Sequence, residues 1–154
     1  MRMQDLYPDM RLELATKHFS AEDIIRFARR FDGQPFHIDA EAARNSLFGG
    51  LCASGWHTCA LWMRSFLDFW KEECRRLEER GIAPPKLGPS PGFRDLRWLR
   101  PVYAGDDITY FVTLKASRDL SSRPGWIMNT ILCEGANQSG DLVVRFESTV
   151  LEFS

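Results

Sequence analysis

The chain has 154 residues, 44% apolar and 27% charged, which is room for one hydrophobic core and a composition unlike that of disordered chains. Its 20 basic and 21 acidic side chains are mixed along the sequence for a formal charge of -1, so nothing electrostatic calls for a nucleic-acid or anionic-membrane partner. The longest uncharged stretch, Asn45 to Met63, is interrupted by glycines and by His57 and is too polar to span a bilayer.

The N-terminal MRMQDLYPDM lacks the apolar run of a signal peptide, and Cys52, Cys59, Cys74 and Cys133 form no CxxC pair. Free thiols and a reducing cytoplasm are therefore expected. Leu12, Leu14, Thr16 and His18 alternate with polar or small residues, which is the period of a half-covered strand. Ser20 then reads as the N-cap of a helix with Glu22 and Asp23 in its first turn. Ile24, Phe27, Ala28 and Phe31 form its apolar stripe.

Asp32 to His37 contains Gly33 and Pro35 and is expected to be a loop, because the residue before a proline avoids helical angles. Asp39 caps a short helix, Ala40 to Arg44. After Gly49 and Gly50, Ser54 is the expected cap of a long helix from about Gly55 toward Arg80, stopped at Gly81. No charge occurs between Gly55 and Met63, so that half is expected to be buried, whereas Lys71 to Arg80 has the spacing of intrahelical ion pairs.

Prolines 84, 85, 89 and 91 mark a surface loop. Strands are then predicted at Phe93 to Leu99, Ile108 to Ala116, Trp126 to Glu134 and Leu142 to Phe153, separated by YAGDD, SSRPG and ANQSG. Ile108, Tyr110, Val112 and Leu114 share one face. One strand, a helical section and four strands joined by short turns predict an α+β fold over residues 1–154, a single domain with a long central helix packed on an antiparallel sheet.

Asp32 and His37 put two titratable groups on one short segment at the end of a packed helix, which is what proton transfer requires. Histidine titrates near neutrality, and a neighbouring carboxylate can orient its ring. In GGLCASGWHT small residues lead into an uncharged helix whose first amides lack helical acceptors, and such an end stabilises negative charge. The amide of Gly55 is the candidate oxyanion donor. A metal site finds only His37 and Asp39, and Asp39 is better explained as a cap. His57 reads as a hydrogen-bonded core histidine. Arg97 and Arg100 read as ion-pair partners near Asp95, with CoA phosphates as the alternative.

FDGQPFHID, then FGGLCASGWHT, then GFRDLRWLRPVYAGD resemble the MaoC-like dehydratase family, relatives of the R-specific enoyl-CoA hydratases, over roughly residues 15 to 150. The resemblance implies a hotdog fold, a homodimer with an active site near its interface, and no metal or redox cofactor. It implies an acyl-CoA thioester as substrate and reversible hydration of a 2-enoyl-CoA as the reaction. Asp32 and His37 match the catalytic pair and Gly55 the oxyanion glycine, with Gln34, Ser54 and Trp56 as substrate-binding candidates. The sequence departs from the family pattern at Phe31 (Gly), Gln34 (Asn) and Met63 (a hydroxyl residue). A hotdog thioesterase and a noncatalytic acyl-binding subunit are the competing expectations.

Overall fold

In the computed structural model, which describes residues 1–153, a curled antiparallel sheet wraps one side of a long helix. The elements run α1 (Met3–Leu6), β1 (Arg11–His18), α2 (Ala21–Phe31), α3 (Pro35–Ile38), α4 (Ala40–Arg44), α5 (Gly55–Glu79), β2 (Lys86–Leu87), β3 (Gly92–Trp98), β4 (Asp107–Asp119), β5 (Trp126–Ala136) and β6 (Leu142–Phe153). The sheet order is β1-β4-β5-β6, and both β2 and β3 pair with the far edge of β6. This is the α+β arrangement expected, with two short elements, α1 and β2, that carry no periodic signal.

Ile108, Tyr110, Val112 and Leu114 are all buried, as their alternation requires. The alternation ends where it does because the β4–β5 register shifts between Leu114 and Ala116. Further shifts lie in β1, in β3 and at Gly135, and an extra residue at such points bends a strand and increases its twist. Curling brings β4 against α5. The Tyr110 hydroxyl donates to the Thr58 carbonyl at 2.8 Å, and the Trp62 indole donates to the Phe111 carbonyl at 2.9 Å. Trp62, Phe66 and Ile24 join this core, each worth about 1.5–3 kcal/mol of burial.

Two expectations are corrected. The uncharged half of α5 is buried on one stripe only: His57, Thr58 and Trp62 are buried, a stripe that Ser65 and Phe66 continue, while Trp56 and Met63, and Leu67 beyond them, are about half exposed. The core covers a single side of the helix, and these three residues share a second stripe at helical spacing. In α2, Ile24 and Ala28 are buried but Phe31 is 69% exposed. Phe27 stacks on His57 of α5, whereas Phe31, one turn on, reaches Phe27. The charged half of α5 does carry intrahelical pairs, Arg75 with Glu72 and Glu79, and Arg76 with Glu72.

Candidate active site

Asp32 is the C-cap of α2, its amide donating to Ala28 O at 2.8 Å. The segment after it is not wholly a loop. Gln34 is extended, as a residue before proline should be, but Pro35 occupies the first position of the single helical turn α3, where its fixed φ and missing N–H fit. That turn carries His37, which is only 6% exposed.

His37 is held from both sides. Its Nδ1 lies 2.6 Å from the carbonyl oxygen of Cys52, which can only accept, so Nδ1 carries a proton and Nε2 is the nitrogen left for exchange. Nε2 lies 3.3 Å from Asp32 Oδ2. The Cys52 carbonyl is itself fixed in place. Cys52 bridges Tyr103, Ala53 N donates to Val102 O at 2.8 Å, Ala104 N donates to Leu51 O at 3.0 Å, and Cys52 N donates to Phe36 O at 3.2 Å. Residues 51–53 thus tie α3 to the turn before β4.

Gln34 turns its amide back on the pair, Nε2 donating to Asp32 Oδ1 at 2.8 Å. Burial works to raise the Asp32 pKa. The hydrogen bond from Gln34, the nearby Ser54 hydroxyl and the charge of His37 outweigh it and hold the carboxyl below its ordinary value. Asp32 is therefore ionised at neutral pH. The Cys52 thiol is pushed up to about 11 by burial, with the Asp32 charge adding to it, so it stays protonated beside the site.

Ser54 occupies the N-cap position of α5, yet its side chain caps nothing. It is fully buried, its hydroxyl has no partner of ordinary hydrogen-bond geometry, and it lies near the Asp32 carboxylate without lining the cleft. Gly55 follows as the first residue of α5, with an amide that has no intrahelical acceptor. Asp32, Gln34, His37, Gly55 and Trp56 line one cleft of about 420 Å³, walled elsewhere by apolar residues such as Phe48 and Val102.

Trp98, itself 46% exposed, lines this cleft against Gly55 and is not recognisable from sequence. A Cβ added to Gly55 would stand 2.3 Å from the Trp98 ring, and the indole N–H donates to Gly55 O at 3.0 Å. The partners are 43 positions apart, so no local period reveals the contact. The Cys52 carbonyl was equally hidden, since a main-chain acceptor leaves no mark on residue identity.

His57 departs from expectation. Its Nδ1 is buried without a hydrogen-bond partner because its neighbours are aromatic: the ring stacks 4.6 Å from Phe27 and tilts 4.9 Å from Phe19. Burial lowers its pKa, which keeps it neutral. His18, on β1, binds Asp107 at 2.8 Å at the surface. Neither Arg97 nor Arg100 forms an ion pair among the described residues; Arg94 takes Glu147 at 2.8 Å, and Arg100 lines the cleft. The register breaks between Arg94 and Arg97, with Asp95 at a φ of 55°, so nearness in sequence to Asp95 does not make a pair there.

No helix is long and apolar enough to cross a membrane, and among the described residues no three His, Cys, Asp or Glu side chains are grouped to hold a metal ion. The family described as MaoC like domain matches residues 5–127. A crystal structure of the MaoC-like dehydratase from Rhodospirillum rubrum superposes with a TM-score of 0.83 at 35% identity, covering 99% of this chain and 97% of that one. The uncharacterised protein YdeM of Bacillus subtilis is 30% identical over 132 residues, 86% of this chain and 84% of its own length. The R-hydratase PhaJ1 from Pseudomonas aeruginosa shares the fold, with a TM-score of 0.64 at 23% identity over 92% of this chain and 79% of that one.

Proposed function

This chain belongs to the MaoC-like domain family, and from that premise we propose that it is a hydro-lyase that reversibly adds water to a 2-enoyl-CoA, giving a 3-hydroxyacyl-CoA. The observation that carries the reading is the facing of His37 Nε2 and Asp32 Oδ2 at 3.3 Å in a cleft that Gly55 also lines. Two proton-exchanging atoms stand together in a partly apolar cleft, next to the leading amide of a long helix.

The proposed chemistry is proton transfer with charge stabilisation, and it requires no metal or redox group; CoA enters as part of the substrate. In hydration, a water held between Asp32 and His37 loses a proton to the pair as its oxygen bonds to the β-carbon. The electron pair of the double bond moves toward the thioester carbonyl, and the Gly55 amide and the α5 dipole stabilise the resulting enolate oxygen. The pair then returns a proton to the α-carbon, and dehydration runs the same steps backward. When His37 exchanges a proton it does so through Nε2, because Nδ1 is occupied by the Cys52 carbonyl. Acid and base are not assigned singly within the facing pair.

The same reading makes the protein a cytoplasmic homodimer. The half-exposed stripe of Trp56, Met63 and Leu67, with Phe93 on the sheet beside it, supports burial against a second copy. Light scattering of the purified chain tests it, and a monomer at micromolar concentration overturns it.

The decisive experiment mixes the protein with short trans-2-enoyl-CoAs, straight and branched, and follows the conjugated enoyl absorbance. Loss of that absorbance without thiol release is expected. Thiol release instead makes the protein a thioesterase, and no change with any acyl group removes the hydratase reading.

A further inference from the structure

A second cavity lies along the exposed stripe of α5. It is about 160 Å³ and is lined by Trp56, Cys59, Met63, Phe93 and Leu96 among others, with almost no polar surface. Trp56, Met63 and Phe93 are about half exposed, so in the lone chain this is an open groove that the second copy proposed above would roof; a covered apolar space of about 150 Å³ holds a benzene-sized group. Trp56 lines both this cavity and the catalytic cleft.

Trp98 lines only the cleft. Its ring meets Trp56 edge-on, with centroids 5.1 Å apart at 84°, and it lies against Gly55 and beside the Cys59 thiol, one turn further along α5. Trp56 is therefore the wall that the two spaces share, and the Trp98 indole braces it from the side of the cleft. Its hydrogen bond to Gly55 O and its contact with Trp56 fix the ring from two directions.

We propose that Trp98 is a specificity-determining residue: by bracing Trp56 its indole keeps the catalytic cleft partitioned from the apolar groove beside Met63 and Phe93 and so restricts the protein to short or compact acyl groups. The inference rests on the acyl-thioester reading above. Removing the indole frees Trp56 to move, joins the two spaces and admits a longer chain, and each methylene then buried adds about 0.8 kcal/mol, close to fourfold in affinity. A purely structural role for Trp98 predicts weaker binding of every acyl group alike, with no change in preference.

The test measures binding of saturated acyl-CoAs from butanoyl to dodecanoyl by titration calorimetry, beside hydration of the matching enoyl-CoAs. It uses the wild type, Trp98→Ala, Trp98→Phe and Trp56→Ala. The wild type is expected to favour the short chains. Trp98→Ala shifts the dodecanoyl-to-butanoyl affinity ratio toward the long chain by about tenfold or more, the worth of two or more buried methylenes. Trp98→Phe, which keeps the bulk and loses the N–H, stays within about threefold of the wild-type ratio.

Trp56→Ala removes the shared wall itself and shifts the ratio in the same direction, which keeps the test valid if Trp98→Ala fails to fold. Ratios unchanged in the folded alanine variants overturn the partition and leave the hydratase reading intact. Acyl-CoA binding without hydration by the wild type removes the hydratase reading, and the ratios still decide the partition. Absence of both binding and hydration overturns the two together.

Discussion

Nε2 of His37 and Oδ2 of Asp32 face each other across 3.3 Å, and the opposite side of each group is already occupied, His37 by the Cys52 carbonyl and Asp32 by the Gln34 amide. Each ring and carboxyl has one orientation available and one atom free for exchange. Asp32→Asn and His37→Gln keep the shape of the site and remove that exchange. Each is expected to lower kcat/KM for enoyl-CoA hydration by about 10²–10⁴-fold, the usual worth of a positioned acid or base. Thermal denaturation should show both variants folded, and activity within a few-fold of wild type would dismiss the pair as catalysts.

Gln34→Leu removes the hydrogen bond that favours the charged form of Asp32, so the carboxyl pKa rises toward its ordinary value. The acidic limb of the kcat/KM–pH profile is expected to move to higher pH. The stability effect has the same origin. A depressed folded pKa gives stability that is complete above the unfolded carboxylate pKa of about 4 and is lost as pH falls through the folded value. Gln34→Leu should shrink that loss, which urea melts between neutral pH and about pH 3 will register. An unmoved acidic limb separates Asp32 from the observed ionisation.

Gly55→Ala puts a methyl group where the Trp98 ring lies, at 2.3 Å from its nearest atom. Either the indole moves or the start of α5 does. A loss of about 1–3 kcal/mol is expected from overpacking, together with a fall in kcat/KM, since the oxyanion amide and the cleft wall shift together. The urea midpoint and a single-substrate rate check it, and an unchanged variant would show that the glycine is not needed for the close approach.

His57 gives a second pH effect of separate origin. Burial lowers its pKa in the folded protein, so the unfolded chain takes up a proton first as pH falls. Stability from the buried neutral ring is complete above the unfolded value of about 6.5 and declines below it. Between pH 7 and about 5.5 the urea midpoint of the wild type should fall, and that of His57→Phe, which retains a stacking ring against Phe27, should be flatter. Parallel curves would assign the decline to other groups.

The order of elements was legible because each has a period or a boundary residue of its own: Ser20 before the stripe of α2, Asp39 before α4, the alternation of Ile108 to Leu114, Gly81 after α5. That Asp32, His37 and Gly55 come together in one cleft was legible because all three lie close to a helix end. The exposed stripe of α5 was not, since an absence of charge does not say which side the core will cover. Ser54 was legible as an N-cap by type and position, but its hydroxyl lies near Asp32 instead, a choice set by a neighbour 22 positions away in sequence. Trp98 and the Cys52 carbonyl belong to the same class, as contacts made by tertiary folding that leave the local pattern unaltered.

The atom that dictates the tautomer of His37 is a main-chain oxygen. Alanine, valine or serine at position 52 presents the same lone pairs, so replacing that side chain does not by itself switch the imidazole to its other form. Loss of the proton arrangement requires displacing the strand-like pairing of residues 51–53 with 102–104. The ring state is thereby inherited with the path of the backbone, and descendants of this sequence are free to vary Cys52 without rewiring the imidazole.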